Sequence, residues 1–349
     1  MKAILNRVNS LLIIFVLVGA FIVFTEMSPL AENGGSLLLA LLFWVAAVEG
    51  CIAVVAACEI VKARWISSVK KELLSVYPLL LLFTLLFLLL VPFVDSYPWV
   101  GRKGFWFNKG FFILRNFVLL MLAYLSARKF ASESAGEGER RGYFAAIYLL
   151  VFVISQTIIA FDWVMSLVYP WISTLIGAYF FVESFYGGIA LSAILYIFLR
   201  VKDNSVVESA GRSDLKDLAT LIFGFSLLWA GLFYSQFLVI WYGNIPEEAV
   251  FLHERISTSP LREYSIAVLA HFFFIPFLVL LSRRAKSSPR VILTVSFFIL
   301  FGILIERFVF LAPAVTLSPG ALVIHFSSLL FLFVVIIMRG SSMRRSVKT

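Results

Sequence analysis

Apolar residues in this chain fall into long, nearly unbroken runs. They do not form the stripes of a soluble amphipathic helix or the alternation of a half-buried strand. A bilayer core takes roughly 20 apolar helical residues. Runs of that size lie at 9–26, 36–60, 74–94, 108–127, 143–168, 171–199, 217–242, 264–282, 290–312 and 319–338. Helix breakers separate several of them, at Gly34-Gly35, Pro92, Pro170, Pro246, Pro289, Pro313 and Pro319-Gly320. The shortest break is Val168-Tyr169-Pro170-Trp171, where the aromatic pair predicts a tight turn at the membrane interface. The pattern predicts an all-α integral membrane protein of about ten transmembrane helices, a single polytopic domain over 1–349.

The polar segments between the runs carry a direction. Lys2, Arg7, Lys62, Arg64, Lys70, Lys71, Arg128, Lys129, Arg140, Arg141, Arg200, Lys202, Arg212, Lys216, Arg283, Arg284, Lys286, Arg290, Arg339, Arg344, Arg345 and Lys348 fall at the termini and in alternate loops. The other loops hold only Arg102, Lys103, Lys109, Arg255 and Arg262, and Arg115 and Arg307 lie inside runs. A 22-to-5 division of the loop charges predicts that both termini are cytoplasmic. One span more or fewer would scramble the alternation.

Composition agrees with a membrane class: 62% of the 349 residues are apolar and 14% charged, against about half and a quarter in soluble domains. The net charge of +9 does not imply nucleic acid, because the basic residues sit in short clusters that orient spans. Cys51 and Cys58 are seven residues apart in one run, about 10 Å along a helix, too far for a disulfide. There is no CxxC, so no protein-bound iron–sulfur cluster or structural zinc is expected. Lys2 and Arg7 before Leu11–Phe24 imitate a signal peptide, but Thr25-Glu26-Met27-Ser28-Pro29 offers no small-x-small cleavage site, so the run is read as a first span. The longest hydrophilic stretch, 127–142, is expected to be a solvated linker.

Ionisable groups at membrane depth are costly and are therefore functional candidates. Asp162, Gln236 and Glu306 lie about six residues before the outer ends of their spans, and Arg115, His271 and His325 about as far past the outer starts of theirs. At 1.5 Å per residue they form one polar layer about 9–10 Å deep. Arg307 follows Glu306, and adjacent helical positions point about 100° apart, so it is expected to face elsewhere. Glu49 and Glu183 fall near the midplane, and Glu59 at the cytoplasmic mouth. Asp162, Glu306, His271, Glu49, Glu183 and Glu59 together read as a proton path, since relays use acidic and His chains. The competing reading is that all these groups hydrogen-bond between helices and serve as glue. His271 and His325 at matched depth also raise a b-type haem; with three His in the chain and a lone apolar-face His usually a core residue, none is expected.

An internal repeat is also suggested. Val48-Glu49 matches Val182-Glu183, and Leu125-Ser126-x-Arg128 matches Leu281-Ser282-x-Arg284. Arg115 then corresponds to His271, and Asp162 to Glu306. The halves would be 36–168 and 171–312, two four-helix bundles (spans 2–5 and 6–9) of the same orientation plus two peripheral helices.

Three segments carry a family resemblance: Phe161-Asp162-Trp163-Val164-Met165-Ser166-Leu167 with Trp171-Ile172-Ser173-Thr174-Leu175 and Tyr179; Ser235-Gln236-Phe237-Leu238-Val239-Ile240-Trp241-Tyr242-Gly243-Asn244-Ile245-Pro246-Glu247-Glu248; and Tyr97-Pro98-Trp99 with Asn108-Lys109 and Phe111-Phe112 through Arg115. Together they resemble the second large NrfD-like membrane subunit of alternative complex III, a quinol:cytochrome c oxidoreductase. The resemblance runs from about span 3 to span 9. It implies a non-catalytic, multi-pass subunit in the bacterial inner membrane, in lipid and beside a sister NrfD-like subunit, with iron–sulfur and multihaem cytochrome subunits. No cofactor is then expected on this chain itself; haem and iron–sulfur clusters would reside in the partners, and quinol is a candidate ligand of the complex. The family's acid–Pro–His–Trp turn is Val168-Tyr169-Pro170-Trp171 here, without the acid or the His, so no quinone or proton role carries over to that turn. Trp241, Asn244, Pro246, Glu247 and Glu248 are candidate docking residues for periplasmic subunits. A local reading of the same segment makes Asn244 the N-cap of a short helix with Pro246 and the two acids in its first turn. A stand-alone proton-coupled transporter and a purely structural anchor are the alternative functions.

Overall fold

A computed structural model describes residues 2–31, 34–102, 104–201 and 209–346, with side chains described except at 2–11, 200–201, 209–212 and 342–346. Of the basic residues that set the direction, Lys103, Lys202 and Lys348 lie outside the described residues. The side chains of Lys2, Arg7, Arg200, Arg212, Arg344 and Arg345 do so too. The described chain is helical, with no strand among the described residues.

Eleven helices position everything that follows. They are α1 (Lys2–Glu26), α2 (Gly35–Val61), α3 (Lys70–Leu90), α4 (Lys109–Ala135), α5 (Arg141–Val168), α6 (Leu175–Leu199), α7 (Ser209–Gly243), α8 (Pro246–Ile256), α9 (Leu261–Leu280), α10 (Pro289–Leu311) and α11 (Pro319–Ser346). Among the described residues, α2 to α7 and α9 to α11 are nine helices long and apolar enough to cross a membrane. The described apolar part of α1, Leu12–Glu26, is shorter. The chain is thus a multi-pass membrane protein by length and composition.

Burial orders these helices. The apolar window of α2 is wholly inside the protein and that of α6 is mostly so, whereas α4, α7 and α9 turn most of theirs outward. An all-apolar helix has two ways to satisfy its surface in a membrane: other helices, or lipid. On α4, Leu114, Val118, Leu122 and Leu125 are exposed along one face, at the spacing of a lipid-facing stripe. At the centre α2 crosses α6, and two glycines permit it. A Cβ on Gly50 would collide with the Ser184 carbonyl, and one on Gly188 with the Gly50 carbonyl. α2 also packs against α5 and α11, and α6 against α5, α7 and α10.

Local chemistry explains the ends. Asn108 caps α4, its side chain accepting the Phe111 N–H at 3.0 Å. Lys62 ends α2 at φ 56°, with the Ala63 N–H returning to Cys58 O at 2.9 Å. Two helices contain π-helical turns, Ala160–Val164 in α5 and Ala270–Phe274 in α9. In α9 Pro276 has no N–H for the carbonyl of Phe272, which instead accepts from Tyr186 Oη at 3.4 Å.

Three expectations need correction. Residues 127–135 are not linker but the last turns of α4, which runs on to Ala135, supported by a Lys129–Glu133 ion pair at 2.9 Å. The break after Val168 extends to Thr174, and its Trp171 is not an interfacial anchor. It is 3% exposed and stacks on Phe251 of α8 at a centroid distance of 3.6 Å. Asn244 does not cap α8, whose N-cap is Ile245 without a side-chain hydrogen bond. It occupies the left-handed position after α7 at φ 45°, its N–H bonded to Ile240 O at 3.0 Å, a role Asn tolerates well.

Candidate functional site

Asp162 is fully engaged. Arg115 Nε and Nη2 each donate to its carboxylate at 2.6 Å, as does Asn116 Nδ2. Arg115 Nη1 donates to Trp106 O at 2.7 Å, and Trp163 Nε1 to Asn116 Oδ1 at 2.9 Å. The π turn of α5 carries Asp162 into this arrangement. Such a bidentate, charge-assisted pair is strong and geometrically fixed. Arg115 and Asp162 therefore clamp α4 to α5.

Glu49 on α2 is fully buried and also satisfied. Ser155 Oγ donates to Oε1 and Gln156 Nε2 to Oε2, both at 2.9 Å, and Tyr148 Oη donates to its backbone carbonyl at 3.0 Å. Gln156 Oε1 accepts from Ser184 Oγ at 2.8 Å, tying the cluster to α6. Glu59, farther along α2, pairs with Lys70, lies 3.4 Å from Arg141 Nε, and accepts from Ser134 Oγ at 2.8 Å.

The second half of the chain is different. Glu183 on α6 is fully buried, and Arg307 Nη2 of α10 lies 2.8 Å from its Oε2. The direction is wrong for a hydrogen bond: neither Glu183 oxygen and none of the Arg307 nitrogens makes one among the described residues. The guanidinium stacks over Phe180 at 3.8 Å. Its Nη1 is 4.0 Å from Glu306 Oε2. Arg307 and Glu306 therefore converge, against the expectation that Arg307 faces elsewhere. Their Cβ atoms do diverge, but the guanidinium is long enough to fold back. Tyr179 Oη donates to Glu306 Oε1, and Oε2 takes no hydrogen bond among the described residues.

A cavity of about 280 Å³ adjoins this core beneath α8. Glu306, Tyr179, Gln236, Trp171 and Arg255 line it, amid aromatic and aliphatic walls. Gln236 Oε1 accepts from Ser173 Oγ at 2.6 Å. Arg255 is 3% exposed although it lies outside the spans. It donates to Phe251 O at 2.7 Å and to Phe310 O at 2.9 Å, at the carbonyl end of α10, where a cation is favoured. Burial pulls its pKa down to about 10, which leaves it cationic at neutral pH.

Of the six candidate path residues, the structure brings together only Glu183 and Glu306, which are side-chain neighbours with Arg307 against both. His271 bonds Ala267 O at 2.6 Å and packs on Phe298 and Phe301, which are 37% and 54% exposed. It belongs to the outward face of α9. His325 is buried, with Nε2 3.5 Å from Glu26 Oε2. No group of three His, Cys, Asp or Glu is placed to hold a metal ion among the described residues. Trp241, Asn244, Pro246 and Glu247 are exposed and Glu248 half-buried.

Sequence reasoning missed Asn116, Ser155 and Gln156, polar residues inside apolar runs whose position was the available signal. It also missed Arg255, counted as a loop charge. Its signal was Phe251, Leu252 and Arg255 at helical spacing on one face of α8. No known family model matches the chain, and no curated protein is significantly similar to it.

Proposed function

We propose that this chain is an integral membrane subunit of a quinol-oxidising respiratory complex of the alternative complex III type, and that it handles protons at Glu183, Arg307 and Glu306. The observation that carries the proton role is the crowding of this core: two neighbouring carboxyl groups flank one guanidinium with almost no exposure to solvent, and neither Glu183 oxygen takes a hydrogen bond from a donor among the described residues. Such groups are expensive at membrane depth. As mere glue, Ser or Thr would cost less. A carboxyl group whose oxygens are not all engaged accepts and releases a proton without first breaking a network.

The membership rests on the three resembling segments. The NrfD-like arrangement of two four-helix bundles, with α1 and α11 peripheral, has support in matching contacts. α2 packs on α5 as α6 packs on α10, α4 on α5 as α9 on α10, and α3 on α4 as α7 on α9. The Glu49-Gly50 turn of α2 meets the corresponding Glu183-Ser184 turn of α6. In this reading the chain lies in the bacterial inner membrane with both termini cytoplasmic. Redox cofactors reside in iron–sulfur and multihaem partners, which dock on the face carrying Trp241, Asn244, Pro246, Glu247 and Glu248, beside a sister NrfD-like subunit.

The test is purification in mild detergent from the native membrane. Co-elution of haem-bearing and iron–sulfur polypeptides is expected. A monodisperse single chain that drives solute uptake would overturn the subunit reading in favour of a proton-coupled transporter.

A further inference from the structure

Where α6 meets α10, three buried side chains do not balance in charge. Glu183, Glu306 and Arg307 are 0%, 3% and 0% exposed. With both carboxyl groups ionised they would hold one net negative charge away from water, and a buried charge without a partner is strongly unfavourable. Hydrogen bonding does not balance either. Both Glu183 oxygens and Glu306 Oε2 are buried and receive no hydrogen bond from a donor among the described residues, although buried polar groups are normally bonded. The two glutamates are side-chain neighbours, within reach of a hydrogen bond once one of them carries a proton. Two ionised carboxylates in that position repel, so they do not both ionise. A single proton removes each of these faults. A protonated carboxyl group is a donor as well as an acceptor, so it bonds its neighbour, and the three residues become neutral as a group.

We infer that Glu183 and Glu306 share one proton, one carboxyl group donating it to the other while Arg307 neutralises the charge that remains. The surroundings pull in opposite directions. Arg307 Nη2 lies 2.8 Å from Glu183 Oε2 and Nη1 4.0 Å from Glu306 Oε2, so the guanidinium draws the negative charge toward Glu183. Tyr179 Oη donates to Glu306 Oε1, and a hydrogen bond to the charged form draws the charge toward Glu306. Tyr179 is therefore a positioning residue, which holds the proton toward Glu183 against the pull of Arg307. Opposed pulls let the proton change sides by moving within one hydrogen bond. Glu49, the counterpart of Glu183 in the first half, is held differently: its two oxygens accept from the neutral side chains of Ser155 and Gln156. The shared proton deepens the reading of this core as a proton-handling site, and rests on that reading only for the use to which the proton is put.

The experiment is infrared difference spectroscopy of the full protein in lipid nanodiscs at neutral pH. It reads the C=O absorption of protonated carboxyl groups, recognised by its downward shift in D2O. The variants are Glu183→Gln, Glu306→Gln and the triple Glu183→Gln/Glu306→Gln/Arg307→Met, in which no buried charge is left without a partner. Each single variant keeps one carboxylate for Arg307 and should lose one protonated carboxyl per chain. The triple variant should lose the same amount as either single one. Tyr179→Phe should keep the amount and move the band. No loss in either single variant would mean two ionised carboxylates, and a doubled loss in the triple would mean two independent neutral acids; either overturns the inference. Loss in one single variant alone also overturns it, because the proton would then belong to one residue. An unmoved band in Tyr179→Phe removes the positioning role. If the bands behave as expected while Glu183→Gln leaves proton translocation unchanged, the proton-handling function fails and the shared proton stands. If Glu183→Gln lowers translocation without the expected band losses, the shared proton alone is removed.

Discussion

Asp162 in the first half and Glu306 in the second occupy corresponding places in the suggested repeat, yet their surroundings differ. Asp162 receives three hydrogen bonds, two of them from Arg115. Glu306 receives one from a neutral donor, Tyr179, and otherwise neighbours a second carboxyl group, Glu183. The same contrast holds for the buried pair at the α2–α6 crossing. Both Glu49 oxygens are bonded and neither Glu183 oxygen is. Equal depth therefore does not mean equal role. A saturated buried carboxylate fixes helices, whereas an unsaturated one beside a cavity is free to respond to a proton or a ligand.

The largest expected effect comes from breaking the saturated side. Asp162→Ala leaves the Arg115 guanidinium buried without a counter-charge, held only by the Trp106 carbonyl and neighbouring rings, a loss of about 3–5 kcal/mol, read as a collapse of folded yield and a lowered unfolding midpoint in detergent. Glu183→Ala should cost distinctly less, because Arg307 retains Glu306 and the Phe180 ring. Equal losses would erase the contrast between the halves.

Next comes the seam where the halves meet. Gly188→Val drives a side chain into the Gly50 backbone and should cost about 1–3 kcal/mol. At the neighbouring position a Cβ meets only the Ile303 Cδ1 methyl at 2.8 Å, so Gly187→Ala should cost much less. Thermal unfolding of the two variants checks the order. Smaller again is Arg255→Met, which removes the cation at the carbonyl end of α10 for a loss of up to about 2 kcal/mol. Arg255→Lys should recover part of it, as measured by the same unfolding assay.

Much of this architecture was legible in the run lengths, because a bilayer dictates how many apolar residues a helix needs. The depth of Arg115 and Asp162 put them in one layer, and there they meet. Other features depend on directions that a linear pattern does not carry. Hydropathy marks where lipid ends, not where a helix ends, so α4 running on through Arg128 and Lys129 to Ala135 was hidden. The divergence of adjacent helical positions applies to Cβ atoms, so the reach of Arg307 back to Glu306 was not foreseen. Trp171 and Arg255 resemble interfacial residues in composition, and only the fold of α8 over the cavity turns both inward.

The proton-to-electron ratio of the proposed complex in sealed vesicles, compared between Glu183→Gln and Glu49→Gln, tests the account most directly. Gln is nearly isosteric with Glu and cannot cycle a proton. The account predicts that both variants assemble, that Glu183→Gln lowers the ratio while quinol oxidation continues, and that Glu49→Gln leaves it unchanged. An unchanged ratio in Glu183→Gln, or an equal fall in both, would contradict it.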